Sequence, residues 1–217
     1  MATAEISRET ASTEITSVEE LEAVVGHPLP AVAQKVRPSL DAIDRLWLEH
    51  SPLCLIGTSD VDGSLDVSPK GDPAGRLAHV IDHSTIAIAE RPGNRRVDGY
   101  RNILRNPHVG LIFLVPGRGD TLRVNGRARL LRDAPYFDEL VVKGHRPLLA
   151  LEVAIDEVFY HCAKAFMRSK LWEPETWDPK AIPSTAQISK ALVNKDTPLE
   201  ELERYYGAAY EEKLYKA

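Results

Sequence analysis

The sequence predicts a mainly β domain, a small antiparallel barrel of about seven short strands with helices at both ends. Three observations carry that expectation. The 217 residues suffice for one well-buried domain with appendages. Apolar spacing changes from helical to strand-like at Leu53 and returns to helical after Tyr160. Between those points short apolar runs follow one another with Gly, Pro, Asn and Asp between them, as in small barrels.

The elements follow in order. A polar leader ends near Thr16, and Ser17 with Glu20 forms a capping box before Leu21, Val24 and Val25, with Gly26 and Pro28 as the stop. A second helix fits Ser39 to His50, with Leu40, Ile43, Leu46 and Trp47 as its inward stripe. LCLIGT at 53–58, LDVS at 65–68, AHVI at 78–81 and TIAIA at 85–89 read as an antiparallel meander. Asp60–Gly63 and Asp82–Ser84 supply its turns, and Gly71, Pro73 and Gly75 a looser connection. Asn94 to Arg105 is expected to be helical, capped by Asn94, with Val97, Tyr100 and Leu104 inward and Asn106-Pro107 as its end. VGLIFLV at 109–115 is a central strand, and Thr121 to Leu131 another. Asn125-Gly126 resembles a hairpin turn, yet Leu122, Val124, Ala128 and Leu130 keep one register through it, so a single strand with a glycine bend is expected. The last strand is LEVAIDEVFY at 151–160. Beyond it come a short helix from Ala163 to Lys170, a loop from Trp172 to Pro183, and a final helix capped at Thr197 with Leu199, Leu202, Tyr206, Ala209 and Tyr210 as its stripe. The chain thus divides into a helical extension at 1–50, a barrel at 51–160 and a second helical extension at 161–217 expected to pack on the barrel or on a partner.

Composition narrows the function classes. With 43% hydrophobic and 27% charged residues the chain matches a folded globular protein. Its longest apolar run, Val109 to Val115, is far short of the roughly 20 residues of a membrane helix, and the first 30 residues lack a signal-peptide pattern. Cytoplasmic residence and no membrane partner are expected. Cys54 and Cys162 stand in unrelated segments, which suggests two buried or half-buried thiols and neither a bridge nor a metal site. A net charge of −5 disfavours nucleic acid. Yet Lys70, Arg76, Arg91, Arg95, Arg96, Arg101 and Arg105 concentrate between acidic flanks, suggesting a local anion site.

RPGNRR at 91–96, where a strand turns into a helix, is the sharpest feature. A helix capped by Asn94 would aim its first amides at the space that Arg91 and Arg95 reach, which suits a phosphate. The alternative is a solvated Arg-rich face with an ordinary cap. SPKGDP at 68–73 places Ser68 and Lys70 on one strand face beside Gly71, or is simply a strand end. Arg123, Asn125, Arg127 and Arg129 face away from the apolar residues of their strand, toward solvent or an anionic ligand. Asp60, Asp62 and Ser64 fail as a calcium loop, Gly117 and Gly119 fail as a dinucleotide fingerprint, and His79 with His83 lacks helical spacing for a metal.

Taken in order, DVSPKGDP, RPGN, NPHVGL, TLRVNGRA and HCAKAFMRS followed by LW resemble the pyridoxamine 5′-phosphate oxidase-related family of FMN-binding split barrels, over about Ile15 to Trp177. The resemblance implies a homodimer of six-stranded antiparallel split barrels with FMN between the subunits. It implies that Val67, Ser68, Pro69 and Lys70 run beside the isoalloxazine ring, and that Lys70, Arg91, Asn94 and Arg95 gather around the phosphate. Lys164 and Arg168 would close the site, from the partner chain, and Arg123 is a further polar candidate. The family's Arg-Leu-x-Pro segment is not found, which argues against pyridoxine phosphate as substrate. Relatives on this fold also use the deazaflavin F420 or bind haem. The expected function is an FMN-dependent oxidoreductase acting on a small molecule, the alternative a non-catalytic flavin carrier or sensor. No general acid or base is assigned, and Arg91 and Arg95 are both expected to act on the phosphate and not on the core.

Overall fold

The computed structural model describes residues 13–208 together with Tyr210, Leu214 and Tyr215. Contacts divide the chain after Lys35. In the first unit, α1 (Val18–Val25) begins where Ser17 Oγ accepts the Glu20 amide at 3.1 Å, while Glu20 reaches back to the Thr16 amide, one residue earlier than the predicted box. Gly26, at φ 78°, ends it. A short α2 (Pro30–Ala33) follows, which the sequence reading did not include.

In the second unit α3 (Ala42–His50) starts later than predicted, because Asp41 is the cap and Asp44 completes a capping box. Its inward face is Asp44 and Leu48; Ile43 and Leu46, expected inside, are exposed. Seven strands then form one antiparallel sheet: β1 (Leu53–Ser59), β2 (Leu65–Gly71), β3 (Ala78–Val80), β4 (Thr85–Glu90), β5 (His108–Leu114), β6 (Thr121–Leu131) and β7 (Leu149–His161). Their spatial order is β2-β1-β5-β6-β7-β4-β3. The predicted meander is therefore two hairpins, β1–β2 and β3–β4, carried to opposite edges of the sheet, and the sheet curls as an open half-barrel. The six strands implied by resemblance become seven through the three-residue β3.

The curl encloses one apolar core. Ile56, Leu111, Phe113, Leu122, Val124, Leu151 and Val153 are buried on alternating positions of their strands. A second cluster, with Ala87, Ala89, Phe137 and Ala150, is closed by a 3-10 turn at Phe137–Leu140. β6 is one strand, as parity predicted, with a register shift between Asn125 and Gly126 against β7. A Cβ on Gly126 would lie 2.1 Å from the Ala154 carbonyl oxygen, so the shift requires glycine.

The helix after β4 is shorter than expected: α4 (Asp98–Arg105) starts four residues beyond Asn94 and has no side-chain cap. Tyr100 and Ile103 face inward and Leu104 is 75% exposed. Asn102 Nδ2 donates to Thr58 Oγ1 at 3.1 Å, and Gly99 lets α4 approach within 2.8 Å of Asp66 Oδ2, measured from an added Cβ. After β7 come α5 (Lys164–Ser169), 3-10 turns at Pro174–Thr176 and Pro179–Ala181, α6 (Thr185–Leu192) and α7 (Leu199–Tyr205). α6 lies beyond the stretch expected as loop, and it starts on a capping box of Ser184 and Gln187. Thr197 does not cap α7; Pro198 occupies that place, and only Leu202 of the expected stripe is buried among the described residues, Ala209 lying outside them. Cys54 is buried as expected, whereas Cys162 is exposed. No described helix is long and apolar enough to cross a membrane.

Candidate functional site

β2 is an edge strand, which is why Pro69, lacking an amide donor, is tolerated within it. Its unpaired side looks across a groove toward the 91–97 loop. Val67, Ser68, Pro69 and Lys70 form one wall of the groove, and Arg91, Asn94, Arg95 and Arg96 the other, around about 710 Å3. The topology thus brings together two segments that are 20 residues apart in sequence, and seven of the ten predicted site residues line the same space.

The loop is shaped differently from the predicted helix start. Asn94 Oδ1 accepts the Arg96 amide at 2.9 Å, a local turn that competes with helix initiation. Arg95 then takes a left-handed conformation, φ 62°, at a cost of about 1–3 kcal/mol. Asn94 is accordingly a turn former and not the α4 cap, so the expected row of helix amides is replaced by exposed Arg95 and Arg96 side chains at the rim. Arg96 is paired with Asp98 at 2.5 Å.

Deeper in, the cations are held by acids that the sequence reading missed. Lys70 Nζ lies 2.6 Å from Glu90 Oε2, which also accepts the Tyr100 hydroxyl at 2.5 Å, and the ammonium stands 4.7 Å over the Tyr100 ring. Burial, followed by the Glu90 carboxylate, pushes the Tyr100 phenol far up, so it remains a donor. Burial also pushes the neighbouring Cys54 thiol up to about 12, with Lys70 opposing. Arg91 is 10% exposed; its Nε donates to Asp72 Oδ2 at 2.7 Å and one terminal nitrogen to the Leu140 carbonyl at 2.8 Å. The other terminal nitrogen, Nη1, is buried with no hydrogen-bond partner. Asp72 stands in the SPKGDP motif two residues after Lys70, and that spacing, an acid beside a cation at a strand end, was the available signal. Tyr210 and Leu214 also line the groove, without any signal in the sequence.

Arg123 lies elsewhere, in an adjoining hollow of about 550 Å3 that shares Asp66 and Val67 with the groove. Its Nε donates to Asn125 Oδ1 at 3.0 Å, and Asn125 Nδ2 donates to Glu157 at 2.8 Å. Lys164 and Arg168, on α5, are exposed and line neither space. Of the four cations that line the groove, Lys70, Arg91 and Arg96 are paired with Glu90, Asp72 and Asp98, Arg95 is exposed at the rim, and Arg91 keeps one buried donor without a partner. Such a lining can accept an anion.

Among solved structures the chain is similar to a Lactobacillus delbrueckii protein provisionally named a pyridoxamine 5′-phosphate oxidase, at 26% identity over 57% of this chain and 95% of that one, with a TM-score of 0.45. It is also similar to HupZ of Group A Streptococcus (18% identity, 56% and 93% covered, TM-score 0.44). A third is HutZ, the heme storage protein of Vibrio cholerae (13% identity, 56% and 93% covered, TM-score 0.39). No curated protein sequence matches the chain. The sequence profile described as pyridoxamine 5′-phosphate oxidase matches residues 40–162, more than half of the chain and all seven strands. The chain belongs to the pyridoxamine 5′-phosphate oxidase family.

Proposed function

We propose that the chain binds FMN in the groove between β2 and the 91–97 loop and works as an oxidoreductase, passing electrons between a reduced donor and a small organic acceptor or oxygen. The observation that carries this reading is the convergence of Lys70, Arg91 and Arg95 on one groove, with the buried Nη1 of Arg91 lacking a partner. A phosphomonoester oxygen there would satisfy that donor and accept from the Arg95 side chain, while Glu90 and Tyr100 keep the Lys70 ammonium in place. Asn94 shapes the turn that sets Arg95 at the rim. The apolar edge of β2, Val67 and Pro69 with Ser68 between, suits the ring system, and Arg123 stands at its far end. Bound FMN would supply two-electron chemistry; the side chains here bind, orient and shield it.

The site is proposed to be completed in a cytoplasmic homodimer. The β1–β2 hairpin turns Leu53, Leu55, Leu65 and Val67 outward, an apolar face that a second copy would cover, and Lys164 and Arg168 are proposed to reach the groove across that contact. The proposed substrate is a small molecule, and no residue of this groove is assigned as general acid or base.

Fluorescence titration of the full chain with FMN tests the binding. Arg95→Ala is expected to weaken affinity by roughly 1.5–3 kcal/mol, about ten- to a hundredfold, without unfolding the chain. An unaltered affinity would remove Arg95 from the phosphate site, and a wild-type chain that takes up no FMN would end the reading altogether. Anaerobic titration with NADH or NADPH is expected to bleach the bound flavin; a flavin that stays oxidised would leave a carrier in place of an enzyme.

A further inference from the structure

The hollow that adjoins the groove has a floor of bare backbone. Cross-strand pairing sets Val67 of β2, Gly57 of β1, Gly110 of β5, Asn125 of β6 and Glu157 of β7 in one row. Ile56, Leu111, Val124 and Val158, one position away on the same strands, are buried, so the row faces away from the core. Adjacent glycines at the middle of the row expose the peptide planes of two neighbouring strands, where any other residue would put a side chain into the hollow. Strands lie about 4.8 Å apart, so two of them give room for one flat ring. Past the glycines stands a fixed polar chain. Arg123 Nε donates to Asn125 Oδ1 at 3.0 Å, Asn125 Nδ2 donates to Glu157 Oε2 at 2.8 Å, and the Arg123 guanidinium lies 5.2 Å over the Phe159 ring. One amide thus holds a guanidinium on one side and a carboxylate on the other. Among the described residues, neither terminal nitrogen of Arg123 nor Glu157 Oε1 has a hydrogen-bond partner. A Cβ on Gly110 would come within 3.3 Å of Asn125 Oδ1, so glycine there leaves the amide its room.

We propose that this hollow is a subsite for a flat, conjugated small molecule that carries a carboxylate and an N–H donor, its ring on Gly57 and Gly110, its carboxylate on Arg123 and its donor on Glu157. The charges of the lining select that chemistry. Asp156 is taken by Arg127 at 3.5 Å, which leaves Asp66 and Glu157 as the carboxylates facing the hollow and Arg123 as the cation. A simple anion would be repelled by the two acids, and a simple cation would leave the terminal nitrogens of Arg123 unmatched. A ligand with both groups meets both ends. Asp66 and Val67 line the hollow and the groove alike, so a molecule seated here would lie beside a cofactor held in the groove. That this makes it the substrate's place rests on the FMN reading; the binding itself does not.

The probe is 4-aminobenzoate, titrated calorimetrically into the full chain with and without FMN. The wild type is expected to bind it about tenfold more tightly than benzoate, which lacks the donor, or aniline, which lacks the carboxylate. Arg123→Gln is expected to weaken 4-aminobenzoate about tenfold and to erase its advantage over aniline. Gly57→Val raises a side chain from the floor. A Cβ there meets nothing nearer than the Gly110 carbonyl oxygen at 3.7 Å, an ordinary contact, and Gly57 does not line the groove. This variant should therefore lose the probe about tenfold while keeping its melting temperature and its FMN affinity. A wild type that binds no 4-aminobenzoate at millimolar concentration, equal affinity for the three compounds, or unchanged affinity in either variant would overturn the subsite. Probe binding by a chain that takes up no FMN would uphold the subsite and end the FMN reading, and FMN uptake without probe binding would do the reverse.

Discussion

Arg91 and Arg95 sit four residues apart and do different work. Arg95 is exposed and left-handed, touching nothing in the core, whereas Arg91 is embedded, with Asp72 and the Leu140 carbonyl as partners. The expectation that both act on a ligand alone therefore fails for Arg91. Removing one partner of a pair buried to this degree costs about 3–5 kcal/mol, because the remaining Asp72 charge is left without its counter-ion. Arg91→Ala should shift the urea midpoint accordingly, while Arg95→Ala should stay within about 0.5 kcal/mol of wild type. Equal stability losses in the two variants would contradict this division. Lys70 shows the same limit of sequence reading: its side of the strand was legible, but Glu90 and Tyr100, which hold it, belong to a distant strand and a helix.

At the level of elements, β6 and α3 carry the sharpest expectations. The Gly126 shift leaves no room for a methyl group against the Ala154 carbonyl, so Gly126→Ala should destabilise by about 3 kcal/mol through backbone displacement. Thermal denaturation with a melting temperature unchanged from wild type would refute the close approach. In α3, Asp44 is fully buried and receives both guanidinium nitrogens of Arg37, at 2.6 and 2.9 Å, and the Asp41 amide at 2.7 Å. Burial pushes its carboxyl up, but Arg37, the Asp41 amide and Tyr160 together outweigh burial and hold it below the usual carboxylate range. A depressed folded value means stability that is present above the unfolded pKa of about 4 and lost as pH falls through the folded one. The stability gap between wild type and Asp44→Asn should therefore be widest near neutrality and shrink below about pH 4. A gap that grew on acidification would reverse the sign. Element boundaries were the weaker part of the sequence reading. Asn94 was a reasonable cap by composition, and its side chain closed a two-residue turn instead.

For the molecule as a whole, the open edges of the sheet matter most. β2 presents its unpaired edge to the groove, and the β1–β2 hairpin exposes Leu53, Leu55, Leu65 and Val67 on its outer face. A second copy is the proposed cover. Light scattering should find twice the 24.1 kDa chain mass, and Leu55→Glu should return it toward a single chain by placing a charge in the contact. The same variant should lose FMN affinity if Lys164 and Arg168 come from the partner. A wild-type chain that stays single at micromolar concentration would remove both the dimer and that role for the two cations.

The sequence by itself determined the alternation of apolar residues along the strands, the unbroken run of β6 through Gly126, and the concentration of cations between Lys70 and Arg105, because each is a matter of residue order along the chain. Tertiary structure alone decided that the two hairpins separate to opposite edges of one curled sheet. It also decided that Asp72, Glu90 and Tyr100 engage the cations, and that Tyr215 comes back to Asp72. Those pairings join groups from 10 to 143 residues apart, and their partners are selected by how the sheet curls and not by local spacing.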